Sequence, residues 1–232
     1  MPTKHNKNSR VAPSVSELLE RLSTEYGSFV WEPRYSPAEE LVFTILSQHT
    51  SDINSERAFK NLMSIFGSIE AIAAADVAKI EDAIRSAGLF RTKAPRIKKV
   101  LNDIYGELGS FDLSFLAEMP LADAKTWLKR WHGIGPKTAA IILCFSLGLP
   151  AMPVDTHIHR VSKRLGLIGP TTSADQAHDI LESMVPAENV FEFHLFLITH
   201  GRQICKALRP KCDDCLFEST CPSRNQFERS GR

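Results

Sequence analysis

Lys137 and Asp155 are the two side chains whose neighbours indicate chemistry. Lys137 follows two glycines and a proline and is predicted to lie in the first turn of a helix. The positive end of the helix dipole disfavours an ammonium there and favours the neutral amine, which is the nucleophilic form of lysine. A carboxylate close by would favour the ammonium again, so Asp155 is better suited to face an electron-poor carbon than to pair with Lys137.

The residues around this lysine form a candidate phosphate site. Residues 133–139 read Gly-Ile-Gly-Pro-Lys-Thr-Ala, in which Gly133 and Gly135 permit a tight hairpin and Pro136 suits the first position of a helix. Successive backbone N–H groups bind an anion at such a helix start, because no side chain obstructs the approach and the positive ends of their dipoles face the negative charge. The segment therefore predicts an anion-binding hairpin.

Both segments also have purely structural interpretations. A Gly-x-Gly pair is most often only a tight turn when nothing else accompanies it. Asp155 could serve only as the N-cap of the helix that contains Ile158, Val161 and Leu165, a role that aspartate fills well. Neither motif is specific by itself.

A group of cysteines in the C-terminal part of the sequence supplies a third signal. Four of the five cysteines follow the pattern C-x6-C-x2-C-x5-C, namely Cys205, Cys212, Cys215 and Cys221. Four thiolates so close in sequence usually hold a metal, and the residues alone leave zinc and an iron–sulfur cluster as alternatives. Disulfides compete with this interpretation. Residues 1–14 show no apolar run typical of a secretion signal, so a reducing, cytoplasmic compartment is expected.

In this order, the three motifs resemble those of the helix-hairpin-helix (HhH-GPD) DNA glycosylases, and within them the endonuclease III group. The matching features are residues 133–139, residues 154–161 and the cysteine spacing. Residues 45–52 and 87–94 give further support, and the resemblance covers roughly residues 15–224.

The resemblance implies roles for the residues singled out above. Lys137 would be a Schiff-base nucleophile, Asp155 the catalytic carboxylate, and the four cysteines the ligands of a [4Fe–4S] cluster. The implied activity is that of a bifunctional DNA glycosylase and abasic-site lyase of base excision repair, which removes oxidised pyrimidines and cuts the strand by β-elimination. Its partner would be double-stranded DNA with damaged bases or abasic sites. We expect a monomer, associated with the nucleoid if the source is bacterial.

The resemblance also implies which residues touch DNA. In the family, a polar side chain from the loop at 47–49 and an apolar one from the loop at 87–89 fill the gap left by an extruded nucleotide. His49 stands where endonuclease III usually has glutamine and its neighbour Gln48 could substitute, so both are candidates, with Leu89 for the other loop. Further DNA contacts are expected at Gly133, Gly135, Thr138, His157, Arg209 and Lys211.

A formal net charge of only +1 excludes a protein that coats DNA by bulk charge. Affinity would have to come from local groups of cations. The candidates are Arg91, Lys93, Arg96, Lys98 and Lys99; Lys125, Lys129 and Arg130; and Lys206, Arg209 and Lys211 in the cysteine loop. For the middle group, a solvated helix face is an equally good interpretation.

The predicted fold is all-α. Apolar residues recur at helical spacing along most of the chain, and the Val/Ile/Thr alternation of strands is missing. The predicted helices include residues 69–74, 137–148 and 156–165. The longest apolar run, residues 139–149, is too short to span a bilayer, so no membrane contact is expected. Cys144 in this run is interpreted as a packing residue.

The resemblance implies two helical lobes with the active-site cleft between them, Lys137 on the first lobe and Asp155 on the second. The first would be a six-helix barrel of residues 30–149, with the helix-hairpin-helix at about 122–148. The second lobe would join 14–29 to 150–222 and carry the iron–sulfur loop 205–221. Residues 1–13 are predicted to be a flexible basic tail and 223–232 a frayed end.

Two alternatives remain open at this point. A monofunctional mismatch or adenine glycosylase shares the scaffold, but the adenine enzyme lacks the lysine, carries a glutamate where this chain has Thr44, and has an additional C-terminal domain. A non-catalytic iron–sulfur module could use the hairpin and the cluster for DNA binding alone. The presence of both Lys137 and Asp155 favours an enzyme.

Overall fold

A computed structural model describes residues 11–227, and every regular element in them is helical. The all-α prediction is therefore confirmed for this part of the chain. The chain divides into two compact units: the 31–151 unit, which is Trp31–Ala151, and the terminal unit, formed by the segments before and after it. The sequence places the limits of the first lobe at 30 and 149.

The described residues contain eleven α-helices, of which α2 to α8 belong to the 31–151 unit. In chain order they are α1 (Val15–Tyr26), α2 (Pro37–Ser47), α3 (Asp52–Phe66), α4 (Ile69–Ala74), α5 (Val77–Ala83), α6 (Phe90–Leu108), α7 (Leu121–Lys129), α8 (Pro136–Ile141), α9 (Thr156–Leu165), α10 (Ala174–Met184) and α11 (Val190–Gln203). Short 3-10 helices cover Arg85–Ala87, Ser114–Glu118, Ala187–Asn189, Cys212–Asp214 and Arg224–Gln226, and a π-helical turn covers Ile142–Ser146.

The core of the 31–151 unit forms around α2. Ser36 and Glu39 cap the start of this helix reciprocally, with Pro37 in the first position, so the sequence fixes where it begins. Its side chains Leu41, Val42, Ile45 and Leu46 are buried, and the helix packs against α3, α6 and α8. Burial of each such side chain contributes about 1.5–3 kcal/mol, which explains why α2 organises the unit.

The terminal unit has a core of its own. α9 and α1 both pack on α11, and Phe193, Phe196 and Phe217 are among its largest fully buried side chains. Phe217 lies inside the cysteine loop, so this loop contributes directly to the core that supports α9. The position of the loop and that of α9 are therefore linked by packing.

The helix predicted for 137–148 is divided in the structure. α8 ends at Ile141 and the chain continues as the π-helical turn Ile142–Ser146. The physical reason is competition for backbone carbonyls: Trp31 Nε1 donates to Cys144 O (2.8 Å), and the Leu149 amide donates to Leu143 O (3.0 Å). An indole from a distant part of the sequence cannot be inferred from helical periodicity.

The predicted ends of the chain need partial correction. Residues 1–10 and 228–232 lie outside the described residues. Residues 223–227 are not frayed, because Ser223 is buried and Arg224 pairs with Asp213 and with Glu218 (3.1 Å). Among the helices of the described residues, none combines the length and the apolar character needed to cross a bilayer.

Candidate functional site

The two glycines of the hairpin have different structural roles. Gly133 has φ 90, in the left-handed region, and the Arg96 guanidinium occupies the space that a Cβ would need there. Gly135 has extended backbone that any residue adopts, it is exposed, and an added Cβ would meet no atom within 4 Å. The hairpin shape therefore requires glycine at 133, whereas the surface at 135 is open to a ligand.

Helix α8 begins directly after this open position. Pro136 is its first residue and Lys137 its second, and the Lys137 side chain is exposed. Thr138 is only 5% exposed, so its side chain is not available for the predicted DNA contact and only its backbone N–H remains a candidate. The nucleophile candidate thus stands next to a helix start that presents backbone N–H groups.

Asp155 is the N-cap of α9. Its Oδ1 accepts a hydrogen bond from the Ile158 amide (2.8 Å), and the residue is half-buried. The structural interpretation is therefore correct as geometry, but it engages one oxygen of the carboxylate. Because the cap fixes the orientation of the side chain, Oδ2 is held in a defined direction and is available for a chemical role.

Backbone strain marks three of the predicted DNA-contact residues. Among the described residues, the non-glycine residues with positive φ are His49 (φ 55), Leu89 (φ 47) and Arg209 (φ 53). All three are exposed, Leu89 to 57%. Left-handed conformations cost free energy in residues with a side chain and concentrate at functional sites. The strain therefore supports a functional role for these three positions.

Gln48, in contrast, is held by a neighbour. Its Oε1 accepts a hydrogen bond from Arg96 Nη1 (2.8 Å), and the residue is half-buried. Of the two candidates in this loop, His49 is the one whose side chain projects to solvent.

In the first predicted group of DNA-binding cations, Arg91 is exposed, whereas the other four members have partners within the protein. Lys93 is 4% exposed and its Nζ donates to two backbone carbonyls, and this burial lowers the pKa of Lys93 to about 8. Lys98 donates to the carbonyl of Ala75, and Lys99 pairs with Asp103 (2.7 Å). The sequence contains a signal for this burial, because Lys93 falls on the apolar stripe of α6.

The middle group is also partly structural. The Arg130 guanidinium lies over the rings of Trp127 (4.5 Å) and Trp131 (4.6 Å) and pairs with Glu107. This cation stabilises the segment that leads into the hairpin.

The four clustered cysteines line one cavity, together with Arg164, His200 and Arg224. All four are half-buried free thiols, and burial raises the pKa of Cys215 to about 11. A cation would therefore have to displace thiol protons on binding. In the described residues no three His, Cys, Asp or Glu side chains are grouped as a site for a metal ion. Four thiols around one cavity are a donor set used both by structural zinc and by iron–sulfur clusters.

Two arginines of α9 hold the start of the cysteine loop by its backbone. Arg160 Nε donates to Cys205 O (3.0 Å), and Arg164 donates to Lys206 O (2.6 Å) and Ala207 O (3.0 Å). Further along the loop, the exposed side chains are those of Leu208 (85% exposed), Arg209 and Lys211. Arg209 and Lys211 therefore take no part in the hydrogen bonds to α9, and their side chains are accessible to a phosphate.

The remaining candidate, His157, and its neighbour on α9, His159, have internal partners. His157 Nδ1 lies 3.1 Å from Arg160 Nη2, and His159 Nε2 lies 2.9 Å from Thr172 O. Cys144 is buried, and burial raises its pKa to about 12, which confirms its role as a packing residue.

Known proteins similar to this chain are repair enzymes. An endonuclease III of Thermotoga maritima is 32% identical over 80% of this chain and 82% of its own length. An endonuclease III of Escherichia coli is 30% identical over 91% of this chain and 96% of its own length. A putative DNA glycosylase of Arabidopsis thaliana is 35% identical over 78% of this chain, and the chain spans 64% of that protein's length.

Structure and family comparisons agree with these relatives. The solved structure of a trapped endonuclease III–DNA covalent intermediate matches with a TM-score of 0.79 at 27% identity, over 93% of this chain and 97% of that chain. The model of the HhH-GPD superfamily of base excision DNA repair proteins matches residues 42–187, which include the hairpin, Lys137 and Asp155. The chain therefore belongs to the HhH-GPD superfamily of base excision DNA repair proteins, and within it to the DNA glycosylases related to endonuclease III.

Proposed function

We propose that this chain is a bifunctional DNA glycosylase and abasic-site lyase that removes oxidised pyrimidines from duplex DNA. The observation that carries the proposal is an exposed lysine in the first turn of α8, directly after a hairpin position that is open to a ligand. A non-catalytic module would need the hairpin but not this amine. We expect the protein to act as a monomer in the cytoplasm.

The chemistry assigns one step to each of two side chains. The N-glycosidic bond breaks through a sugar with oxocarbenium character, and the Asp155 carboxylate beside C1′ would stabilise that charge. The amine of Lys137 attacks C1′ as the base leaves with the bonding electron pair and takes up a proton. Loss of a proton from the bound amine and cleavage of the C1′–O4′ bond then open the sugar ring, which leaves an imine at C1′ and a hydroxyl at O4′. The resulting imine acidifies the C2′ proton, and loss of this proton expels the 3′ phosphate. This β-elimination cuts the strand, and hydrolysis of the imine releases the enzyme.

Access to C1′ requires that the nucleotide leave the base stack. We propose that His49 and Leu89, which are exposed and carry strained backbone, fill the space. Gly133, Gly135 and the Thr138 amide belong to the hairpin that would bind the DNA backbone, and Arg209 and Lys211 would add phosphate contacts. His157, whose Nδ1 contacts Arg160, is a further candidate for a phosphate contact.

The cysteines Cys205, Cys212, Cys215 and Cys221 would hold a [4Fe–4S] cluster. When bound, this group would cross-link the loop, and it has no step in the reaction. Arg160 and Arg164 of α9 bind the backbone of the loop, and the loop exposes the cations Arg209 and Lys211.

The adenine-glycosylase alternative would need a catalytic glutamate at the position of Thr44. Thr44 is 4% exposed and its hydroxyl lies 3.5 Å from Glu40 Oε1. The Glu40 carboxylate is fully buried and pairs with Arg34. Because this carboxylate is buried and paired with Arg34, it does not replace the glutamate that is missing at position 44.

Lys137→Gln tests the nucleophile. Borohydride should trap a covalent complex between the wild-type protein and DNA with an abasic site, because it reduces the imine. The variant should give no trapped complex while it still binds the same duplex. A trapped complex with Lys137→Gln would assign the amine to another residue, and its absence with wild type would indicate a monofunctional enzyme or a binding module.

Asp155→Asn tests the carboxylate separately. The amide keeps an oxygen that can accept the capping hydrogen bond from Ile158, so the melting temperature should change little. Base excision should fall about 100- to 1000-fold, the usual size of such an electrostatic contribution. Cleavage of a preformed abasic site should fall less, since no base departs. If the variant melts far lower and excision per folded molecule is intact, Asp155 is only a cap.

Gly135→Ala tests the hairpin as a DNA-binding surface. The added methyl meets no protein atom and the backbone there suits alanine, so stability should be unchanged. Duplex affinity should fall with little dependence on sequence, because the methyl lies where a phosphate would approach the amides. Gly133→Ala is the contrast, and it should destabilise the fold through its positive φ. Equal duplex affinity of wild type and Gly135→Ala would remove the hairpin from the interface.

Iron and acid-labile sulfide analysis tests the cluster. Purified protein should be yellow-brown, and Cys212→Ser should lose iron and weaken DNA binding through the disordered position of Arg209 and Lys211. Cys144→Ser, outside the loop, should retain the full iron content. Stoichiometric zinc in a colourless folded protein would show that the four cysteines bind zinc and not an iron–sulfur cluster.

A further inference from the structure

Helix α6 carries a buried ammonium that joins two helix ends. Lys93 Nζ donates to Leu46 O (2.7 Å) and to Ala87 O (2.8 Å). Leu46 lies in the last turn of α2, and Ala87 ends the 3-10 helix Arg85–Ala87. Carbonyls at helix ends lack intrahelical partners and carry the negative end of the helix dipole. The Lys93 ammonium therefore donates a hydrogen bond to the C-terminal end of both helices.

Both of these helix ends lead into the loops assigned to the base stack. His49 follows α2 and Leu89 follows the 3-10 helix, and each has positive φ. A strained conformation of this kind persists only where the surrounding structure fixes it. Lys93 binds the backbone carbonyls that lie three residues before His49 and two residues before Leu89.

Arg96 extends the same connection to the hairpin. Its Nη1 donates to Gln48 Oε1 (2.8 Å) and its Nη2 donates to Gly133 O. The missing Cβ at residue 133 leaves the space that the guanidinium occupies. Gln48 is thereby bound to the scaffold, which leaves His49 as the side chain of its loop that projects from the surface.

We propose that Lys93 and Arg96 are positioning residues that hold the His49 loop, the Leu89 loop and the hairpin in the arrangement needed to open a base pair. Neither residue would touch the reacting atoms. The inference rests on the proposed function and adds to it the origin of damage-specific binding: the loops must be correctly spaced before they can replace an extruded nucleotide. Contacts to intact duplex through phosphates do not need this spacing.

The test compares two duplexes that cannot react. One contains a tetrahydrofuran abasic-site analogue, which has no carbonyl for a Schiff base, and the other is the same duplex undamaged. Dissociation constants for both are measured with wild type, Lys93→Met and Arg96→Met at a temperature well below the melting midpoint of each protein. Lys98→Met is the matched control, because Lys98 on the same helix also donates to a helix-end carbonyl, that of Ala75, remote in sequence from the three loops.

The preference for the tetrahydrofuran duplex should fall about tenfold or more in Lys93→Met and in Arg96→Met, as expected for the loss of one or two charge-assisted hydrogen bonds. Affinity for undamaged duplex should stay close to that of wild type in Lys93→Met. In Arg96→Met it should fall by less than the affinity for the tetrahydrofuran duplex, because Arg96 also holds the phosphate-binding hairpin. Lys98→Met should keep the full preference. This selective loss is a readout that general destabilisation does not produce, because unfolding weakens binding to both duplexes equally.

Three outcomes would overturn the inference: an unchanged preference in both variants, an equal loss of affinity for both duplexes, or a wild-type protein with no preference to lose. None of them depends on catalysis. A failure of the borohydride trap would therefore refute the proposed chemistry without deciding this result, and the two failures are distinguishable.

Discussion

The backbone groups at helix ends are the constraint on which the functional part of this structure depends. An α-helix leaves its first N–H groups and last C=O groups without internal partners, and these groups must be satisfied by something else. Short helices have many ends for their length, and in this chain the functional segments lie at those ends. His49 follows the end of α2, Leu89 precedes α6, Gly135 precedes α8, and Asp155 precedes α9. The proposed chemistry therefore takes place at helix ends, where backbone N–H and C=O groups need partners in any case.

Helix α9 shows how one element serves two purposes. At its start, Asp155 accepts the Ile158 amide and so has a fixed orientation. One and two turns later, Arg160 and Arg164 donate to the backbone of the cysteine loop. Both features belong to a single rigid element, and packing of α9 on α11 holds it in place. Within the terminal unit, the carboxylate and the loop are therefore parts of one structural assembly.

The sequence predicted those features that depend on local pattern. The limits of α4 and α9 agree with the predicted ranges because their caps and apolar spacing are local. The four cysteines line one cavity, as their spacing predicts, whereas the spacing does not distinguish zinc from an iron–sulfur cluster. The π-helical turn was missed because its cause is Trp31, far away in sequence. The prediction that Lys93 lies on the surface is wrong although the residue falls on the apolar stripe of α6. A lysine is rarely buried unless it has partners, and its partners here are backbone carbonyls, which have no sequence signature.

The hydrogen bonds from Arg164 to residues 206 and 207 of the cysteine loop go to main-chain oxygens alone. Arg160 and Arg164 bind the carbonyls of residues 205–207, and a carbonyl is present whatever side chain the residue carries. Lys206 and Ala207 are exposed, so their identities are not constrained by packing either. Mutation can therefore change the charge and size of this part of the loop while its anchor stays intact. Divergent descendants of such a protein could adjust their electrostatic attraction to a polyanion through the loop without first having to rebuild the helix that carries the carboxylate.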